Sequence, residues 1–407
     1  MTRLEKKAID RRTFLKTTGI GGSSLALSAG IAGKIMAAEP ARETSSKVMP
    51  KKVLGKTGVS VPVLAMGGIT DWTINPALLR MAVNMGVTYW DTADEYLNGK
   101  SELGIGQYFD KYPEDRKKIF LVTKCDTVDP KGMTKSLNDS LERMKTDFID
   151  LYFMHSLRSS ELLTQEIKSW VEKEKKEGKI KFFGFSLHMN IPPIITHAST
   201  LGWIDAIMPT YNYRTMLNDD MKKSIDACSK ANIGLIAMKV MGMMSSQAES
   251  PEERAAIKSF MTSGYSLEQA KLKAVWKDER IATCCIAMYS LAILKDNVGA
   301  ATDNKQLANR ETEILNRLAE NTCEHYCLGC MRCASVLGAE SKIPDIMRYM
   351  MYYNSYGETE RARKQFNGLP ESLKKDLALK DYSLAEAVCP QHIKIGQAMT
   401  EAVRILG

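Results

Sequence analysis

The chain has 407 residues, 44% of them hydrophobic and 26% charged, with a formal net charge of +8. That length holds two or three domains, and the apolar share is enough for a large core. Seven Lys/Arg against two Asp/Glu fall in residues 1–38, which leaves the rest near +3, so the basic balance does not point to nucleic acid.

Asp10-Arg11-Arg12-Thr13-Phe14-Leu15-Lys16 is a twin-arginine run, followed by a weakly apolar stretch from Gly19 to Ala32. The stretch is shorter and less apolar than the about 20 residues a spanning helix needs. Residues 1–38 resemble a twin-arginine (Tat) export signal, with residues 39–50 as a polar linker. The resemblance implies passage through the Tat translocase in the folded state, and a periplasmic or otherwise exported protein. Ile35-Met36-Ala37-Ala38-Glu39-Pro40 lacks an A-x-A site, so cleavage near Ala38 and retention as a membrane anchor both stay open.

From Lys51 onward, short apolar runs alternate with amphipathic charged segments such as Met133–Met144 and Glu161–Glu177. The expected strands are Val61–Met66, Val87–Asp91, Ile119–Lys124, Ile149–His155, Phe182–Ser186, Ala206–Thr210, Gly234–Lys239 and Thr283–Met288. Continuous apolar runs are the mark of parallel strands buried on both faces. Eight strand–helix units predict an α/β fold, a (β/α)8 TIM barrel over residues 51–303. A doubly wound sheet is the alternative; it wants a Gly-rich phosphate loop after its first strand, and Met66-Gly67-Gly68-Ile69 matches poorly. In a barrel, chemistry sits at the C-terminal strand ends. Asp91, Tyr96, Lys124 and His155 fall there.

These residues carry a resemblance. Trp90-Asp91-Thr92-Ala93-Asp94-Glu95-Tyr96 with Asn98-Gly99-Lys100-Ser101-Glu102, Val122-Thr123-Lys124 and Asp150-Leu151-Tyr152-Phe153-Met154-His155 are similar to the signatures of the aldo-keto reductases. The resemblance covers about Lys51 to Ala301. It implies interconversion of a small-molecule carbonyl and alcohol, with Tyr96 as acid, Lys124 lowering the phenol's pKa, Asp91 holding the lysine and His155 orienting the carbonyl. It also implies NADP(H), held by Ser186, His188, Tyr211, Lys239 and Asn297. Two expected contacts are replaced: Met208 stands at the carboxamide-binding position, and Tyr289 at the basic position for a 2′-phosphate. A different electron donor, or a nucleotide loaded before export, is the alternative. Lys239 could contact a nucleotide phosphate or an acidic substrate, with an ordinary surface lysine as the alternative.

Five of the nine cysteines fall in the last 85 residues. Cys327-Leu328-Gly329-Cys330-Met331-Arg332-Cys333 is a C-x2-C-x2-C run, and Cys389-Pro390 stands nearly sixty residues later. Spacings of two between thiols favour a metal over a disulfide framework. In two-cluster ferredoxins the fourth thiol of one run serves the other cluster. Here Leu337 replaces the first run's fourth thiol, and Cys389 closes a second run whose first three thiols are missing. One complete set remains: Cys327, Cys330, Cys333 and Cys389. Residues 304–407 thus read as a small, mainly α-helical ferredoxin-like domain for one [4Fe–4S] cluster. They resemble the extension of cluster-bearing aldo-keto reductases, with helices expected at 304–322 and Met347–Tyr356. Zinc is the alternative metal. Cys323 is a spare thiol, and His325 and His392 read as surface residues. Cys125, Cys228, Cys284 and Cys285 read as packing. A second functional reading makes the chain an electron-transfer module for a redox partner, with the barrel as scaffold.

Overall fold

The computed structural model describes residues 48–242 and 250–407. The twin-arginine run, the Gly19–Ala32 stretch and residues 39–47 of the linker lie outside them. The described residues belong to one compact unit, Lys47–Gly407.

β1 (Lys51–Val53) and β2 (Ser60–Pro62) form an antiparallel hairpin whose Leu54 and Val61 fill the N-terminal end of the barrel interior. A parallel barrel follows: β3 (Leu64–Gly67), β4 (Tyr89–Asp91), β5 (Phe120–Cys125), β6 (Ile149–Met154), β7 (Ile180–Leu187), β8 (Ala206–Pro209), β9 (Gly234–Met238) and β10 (Thr283–Ala287). β10 pairs back onto β3, and this closure excludes the doubly wound alternative. The expected first strand Val61–Met66 is divided at Val63 between hairpin and barrel. Around the sheet lie α1 (Pro76–Asn84), α2 (Lys100–Lys111), α3 (Pro130–Met144), α4 (Gln165–Lys176), α5 (Ile191–Ala198), α6 (Asp219–Lys230), α7 (Pro251–Ser263), α8 (Leu267–Trp276) and α9 (Leu291–Thr302). Several starts are written in the sequence: Asp129, Thr164, Asn218 and Ser290 each accept a first-turn amide, and Pro130 and Pro251 occupy the first turn.

Side-chain parity organises the barrel. Tyr89, Phe120, Val122, Leu151, Phe153, Ala206, Met208, Ile236 and Met238 fill the interior. Their neighbours Trp90, Leu121, Tyr152, Phe183, Ile207 and Leu235 pack against the helices. Both faces are apolar, which accounts for the unbroken apolar runs. Continued upward by steps of two, the inward parity reaches Asp91, Lys124, His155, Ser186, His188 and Thr210.

The remaining helices are α10 (Asn309–Asn321), α11 (Arg332–Leu337), α12 (Ile343–Tyr356), α13 (Thr359–Asn367), α14 (Glu371–Asp376), α15 (Ser383–Ala387) and α16 (Ile395–Leu406). Leu315, Leu318 and Ala319 of α10 pack with Phe260 and Ala270 of α7 and α8. A separate core holds Ile346, Tyr352, Phe366, Met399 and Leu406. Among the described residues no helix is long and apolar enough to cross a membrane.

This helical region roofs the C-terminal mouth of the barrel. Arg158, beyond β6, pairs with Asp345 at 2.6 Å. The Asn190 amide donates to Gly329 O at 2.8 Å, and Asn212 Nδ2 donates to Tyr326 Oη at 2.9 Å. Arg214 is buried and reaches furthest: Nη2 donates to Thr322 Oγ1 at 2.7 Å and Nη1 to Ala319 O at 3.2 Å. Gly329 has φ +65°, and a Cβ there would stand 2.9 Å from His188 O. Only glycine suits both the left-handed backbone and that approach.

Candidate active site and thiol-lined site

Asp91, Lys124 and His155 come from the ends of three adjacent strands, and Tyr96 from the loop after β4. Lys124 Nζ donates to Asp91 Oδ1 at 2.5 Å and to Thr92 O at 2.6 Å. It stands 5.0 Å from the centre of the Tyr96 ring. The His155 ring meets Tyr96 edge-on, with centroids 5.7 Å apart. The signature residues beyond the tetrad hold this arrangement in place. Ser101 Oγ donates to Gly68 O at 2.5 Å and lies 2.7 Å from Thr92 Oγ1. Glu102 is fully buried, accepting from Thr123 Oγ1 at 2.5 Å and from Arg143 Nε at 2.6 Å. The Asp-Thr, Ser-Glu and Thr-Lys pairs are therefore one hydrogen-bonded unit beneath the mouth.

Burial works against the Lys124 ammonium, but the Asp91 carboxylate, then Tyr96 and Cys285, hold its pKa above the usual lysine range. Lys124 stays charged. Tyr96 departs from expectation. Burial beneath the roof pushes its phenol up, and the opposing pull of Lys124 does not overcome this. The expected lowering of the Tyr96 pKa is therefore corrected: the phenol holds its proton firmly. Burial also lowers the His155 pKa, which keeps the imidazole neutral. Its Nδ1 lies 3.0 Å from Asp126 Oδ1 and 3.4 Å from Glu95 Oε1. Burial raises the Glu95 carboxyl to about 7, with Asp126 adding to the effect.

Of the residues assigned to a nucleotide, Ser186, His188 and Lys239 lie at strand ends at the barrel mouth. Ser186 Oγ accepts the Ser156 amide at 3.0 Å. His188 Nδ1 lies 3.0 Å from Thr210 Oγ1, and burial with Arg348, Lys239, His155 and Arg361 nearby pushes its pKa well down. Tyr211 has outward parity; its hydroxyl donates to Asp278 Oδ2 at 2.6 Å, in the layer between sheet and helices. Its assignment to the mouth is corrected on that ground. Asn297 is buried on α9, which packs against β3 and α1. Tyr289 is 64% exposed. Lys239 Nζ is covered by the rings of Tyr352 and Tyr356, at 5.1 and 4.2 Å.

Several residues at the mouth carry no sequence signal. The Cys285 thiol lies against Asp91 inside the barrel. Arg361 of α13 stacks on Tyr352 at 4.5 Å, pairs with Glu358 at 2.9 Å and approaches Glu95 at 3.9 Å. Arg348 and Tyr352 descend from α12.

Cys327, Cys330, Cys333 and Cys389 line one small cavity, and none forms a disulfide. Gly329 and Met331, both with positive φ, fold the run around it. The Gly329 amide points at Cys327 Sγ at 3.4 Å, and Gln391 Nε2 ties the second segment back by donating to Cys323 O at 3.3 Å. Burial and neighbouring thiols push Cys327 up to about 12 and Cys333 up to about 11, a state that metal coordination reverses by taking thiolates. Among the described residues, the one set of three or more His, Cys, Asp or Glu ligand atoms within 4.8 Å of each other is Glu95, Asp126 and His155.

Residues 70–301 match the model of the aldo/keto reductase family. The chain is 24% identical over 286 residues to L-galactose dehydrogenase of Arabidopsis thaliana, covering 63% of this chain and 89% of that protein. It is 33% identical over 159 residues to the aldo-keto reductase yakc of Schizosaccharomyces pombe, which has NADP(+) in its name; the match covers 36% of this chain and 45% of that one. In fold it is similar to an aldo-keto reductase from Klebsiella pneumoniae solved in complex with NADPH, with TM-score 0.56 and 21% identity over 67% of this chain and 95% of that one.

Proposed function

We propose, for a chain that belongs to the aldo/keto reductase family, that this oxidoreductase interconverts a small-molecule carbonyl and alcohol at Tyr96, Lys124, Asp91 and His155. The observation that carries the reading is the Lys124 ammonium, fixed between Asp91 Oδ1 and Thr92 O beneath the Tyr96 ring. Tyr96 Oη holds the proton that a carbonyl oxygen takes as negative charge develops on it. Lys124 stabilises the phenolate left behind, and Asp91 keeps Lys124 charged. His155 Nδ1 is turned to Asp126 and Glu95, which leaves the ring's other nitrogen to orient the carbonyl. The names of relatives suggest NADP(H) as hydride donor. Met208 and Tyr289 replace two expected contacts, and no step is routed through a nucleotide.

Cys327, Cys330, Cys333 and Cys389 would hold one [4Fe–4S] cluster in a ferredoxin-like region, supported by their shared cavity and by the C-x2-C-x2-C run with its distant Cys-Pro. A bound cluster supplies single-electron transfer. The twin-arginine run supports export through the Tat translocase to the periplasm. One observation favours a second reading, a redox module that does not use NADPH: the helical roof occupies the mouth and covers Lys239.

The test is anaerobic turnover of cluster-loaded protein on a panel of aldehydes and ketones, with NADPH, NADH or reduced viologen as donor. Alcohol formation with one of these donors is expected. Failure on every carbonyl with every donor overturns the catalytic reading and leaves the redox module.

A further inference from the structure

The two carboxylates beside His155 have no part in the proton transfer proposed above. Glu95 lies in the loop after β4, Asp126 follows β5 and His155 follows β6, so three adjacent strand ends carry the group. Backbone bonds across those ends fix it: the Asp94 amide donates to Lys124 O at 3.1 Å, and the His155 amide to Cys125 O at 2.8 Å. His155 Nδ1 stands 3.0 Å from Asp126 Oδ1 and 3.4 Å from Glu95 Oε1. This nitrogen and one oxygen of each carboxylate all lie within 4.8 Å of one another. Bonds of about 2.0–2.2 Å from a single cation reach donors so placed.

No basic side chain among the described residues completes the set. Arg361 Nη2 approaches Glu95 only to 3.9 Å, because Glu358 and the Tyr352 ring hold its guanidinium. Lys124 is held by Asp91 and Thr92 O. The His155 side chain is 5% exposed, and its buried Nδ1 makes no hydrogen bond, since Asp126 stands off the line of a ring N–H. A buried polar atom left in this state is unfavourable until something takes its lone pair. The Glu95 and Asp126 side chains are 42% and 54% exposed, so an ion has a path in and water can complete its coordination.

We infer that Glu95, Asp126 and His155 Nδ1 bind one divalent cation of the first transition row, with water in its remaining positions. One imidazole and two carboxylates suit Mn²⁺ or Zn²⁺. The tautomer of His155 points the same way. In a neutral imidazole one nitrogen donates and the other accepts. Orienting a carbonyl needs the proton on Nε2, which leaves a bare lone pair on Nδ1 facing two carboxylates, a repulsive contact. A cation between them takes the lone pair, balances both charges and keeps the proton on Nε2. The site stands on its own geometry; its consequence for the tautomer rests on the carbonyl–alcohol reading.

The test is Mn²⁺ titration of cluster-loaded protein, with the cluster oxidised, followed by electron paramagnetic resonance. Mn²⁺ is the probe because thiolates select softer metals, so the cysteines do not compete for it. A single ion is expected to bind with Kd below about 0.1 mM and to show a nitrogen hyperfine coupling from the ring. Asp126→Asn and Glu95→Gln should each weaken binding at least about ten-fold. Asp126→Glu keeps a carboxylate and most of the affinity, which shows that the fold is intact. His155→Gln should abolish the nitrogen coupling. Binding without that coupling marks an adventitious ion only and overturns the inference, as does an affinity unchanged in both neutral variants, or no binding at about 1 mM Mn²⁺. No step of the test uses turnover, so an inactive protein that binds Mn²⁺ at this site counts against the catalytic reading alone.

Discussion

Replacing Arg214 with leucine removes the guanidinium that fastens the roof to the barrel while keeping an apolar side chain of useful bulk. Arg214 is 6% exposed, and its two better bonds across the interface go to Thr322 Oγ1 at 2.7 Å and Ala319 O at 3.2 Å. A third contact, to Thr322 O, is long at 3.4 Å and adds little. A hydrogen bond to a charged group contributes about 1.5–3 kcal/mol, so losing two costs about 3–6 kcal/mol. Asn212–Tyr326, Arg158–Asp345 and the Asn190–Gly329 bond stay in place. Local opening of the roof should therefore become about a hundred- to ten-thousand-fold more frequent while the barrel stays closed. Hydrogen exchange followed by mass spectrometry reads this directly: peptides from residues 309–330 lose protection, and those from β6 do not. An increase below about ten-fold, or the same increase in β6, would refute the docking account.

Gly329→Val should weaken the same docking, because a branched residue at φ +65° is strained and its Cβ meets His188 O; a lower denaturant midpoint with faster exchange at 188–190 checks it. Cys389→Ser should remove the absorption near 400 nm and the reduced-state paramagnetic signal as completely as Cys330→Ser, and a normal cluster in Cys389→Ser would rule out the distant ligand. Glu95 has a pKa raised from 4.5 to about 7. The native state thus holds a proton that the unfolded chain has released, so this group's stabilisation is complete below about 4.5 and fades as pH rises to about 7. Denaturant midpoints of wild type should fall across that window, and those of Glu95→Gln should fall less; identical slopes would remove Glu95 from the cause.

The barrel is legible in the sequence because parallel strands buried on both faces leave unbroken apolar runs, and the strand ends fall within a few residues of expectation. Parity carries further than motif matching. Asp91, Lys124 and His155 share the inward phase of their strands with Tyr89, Val122 and Leu151. Tyr211 is one residue past inward-facing Thr210, so the alternation alone sends it outward to Asp278. The same count brings Cys285 inside against Asp91, although as one of two adjacent cysteines it reads as packing. What the sequence hides is long-range. Arg348, Tyr352 and Arg361 lie on ordinary amphipathic helices, and nothing local says that these faces cover a barrel mouth. The Tyr96 pKa is misjudged for the same reason: the Lys124 neighbour is visible in the motif, whereas the roof that buries the phenol is not.

The proposal of carbonyl–alcohol chemistry rests on Tyr96 as the proton donor, and one comparison tests it most directly. Turnover of wild type and Tyr96→Phe is measured on the same carbonyl with the same donor, both proteins carrying equal iron. A positioned general acid contributes about a hundred- to ten-thousand-fold. Removing only the hydroxyl should lower kcat by at least about a hundred-fold and leave KM within a few-fold. An undiminished kcat in Tyr96→Phe would contradict the account.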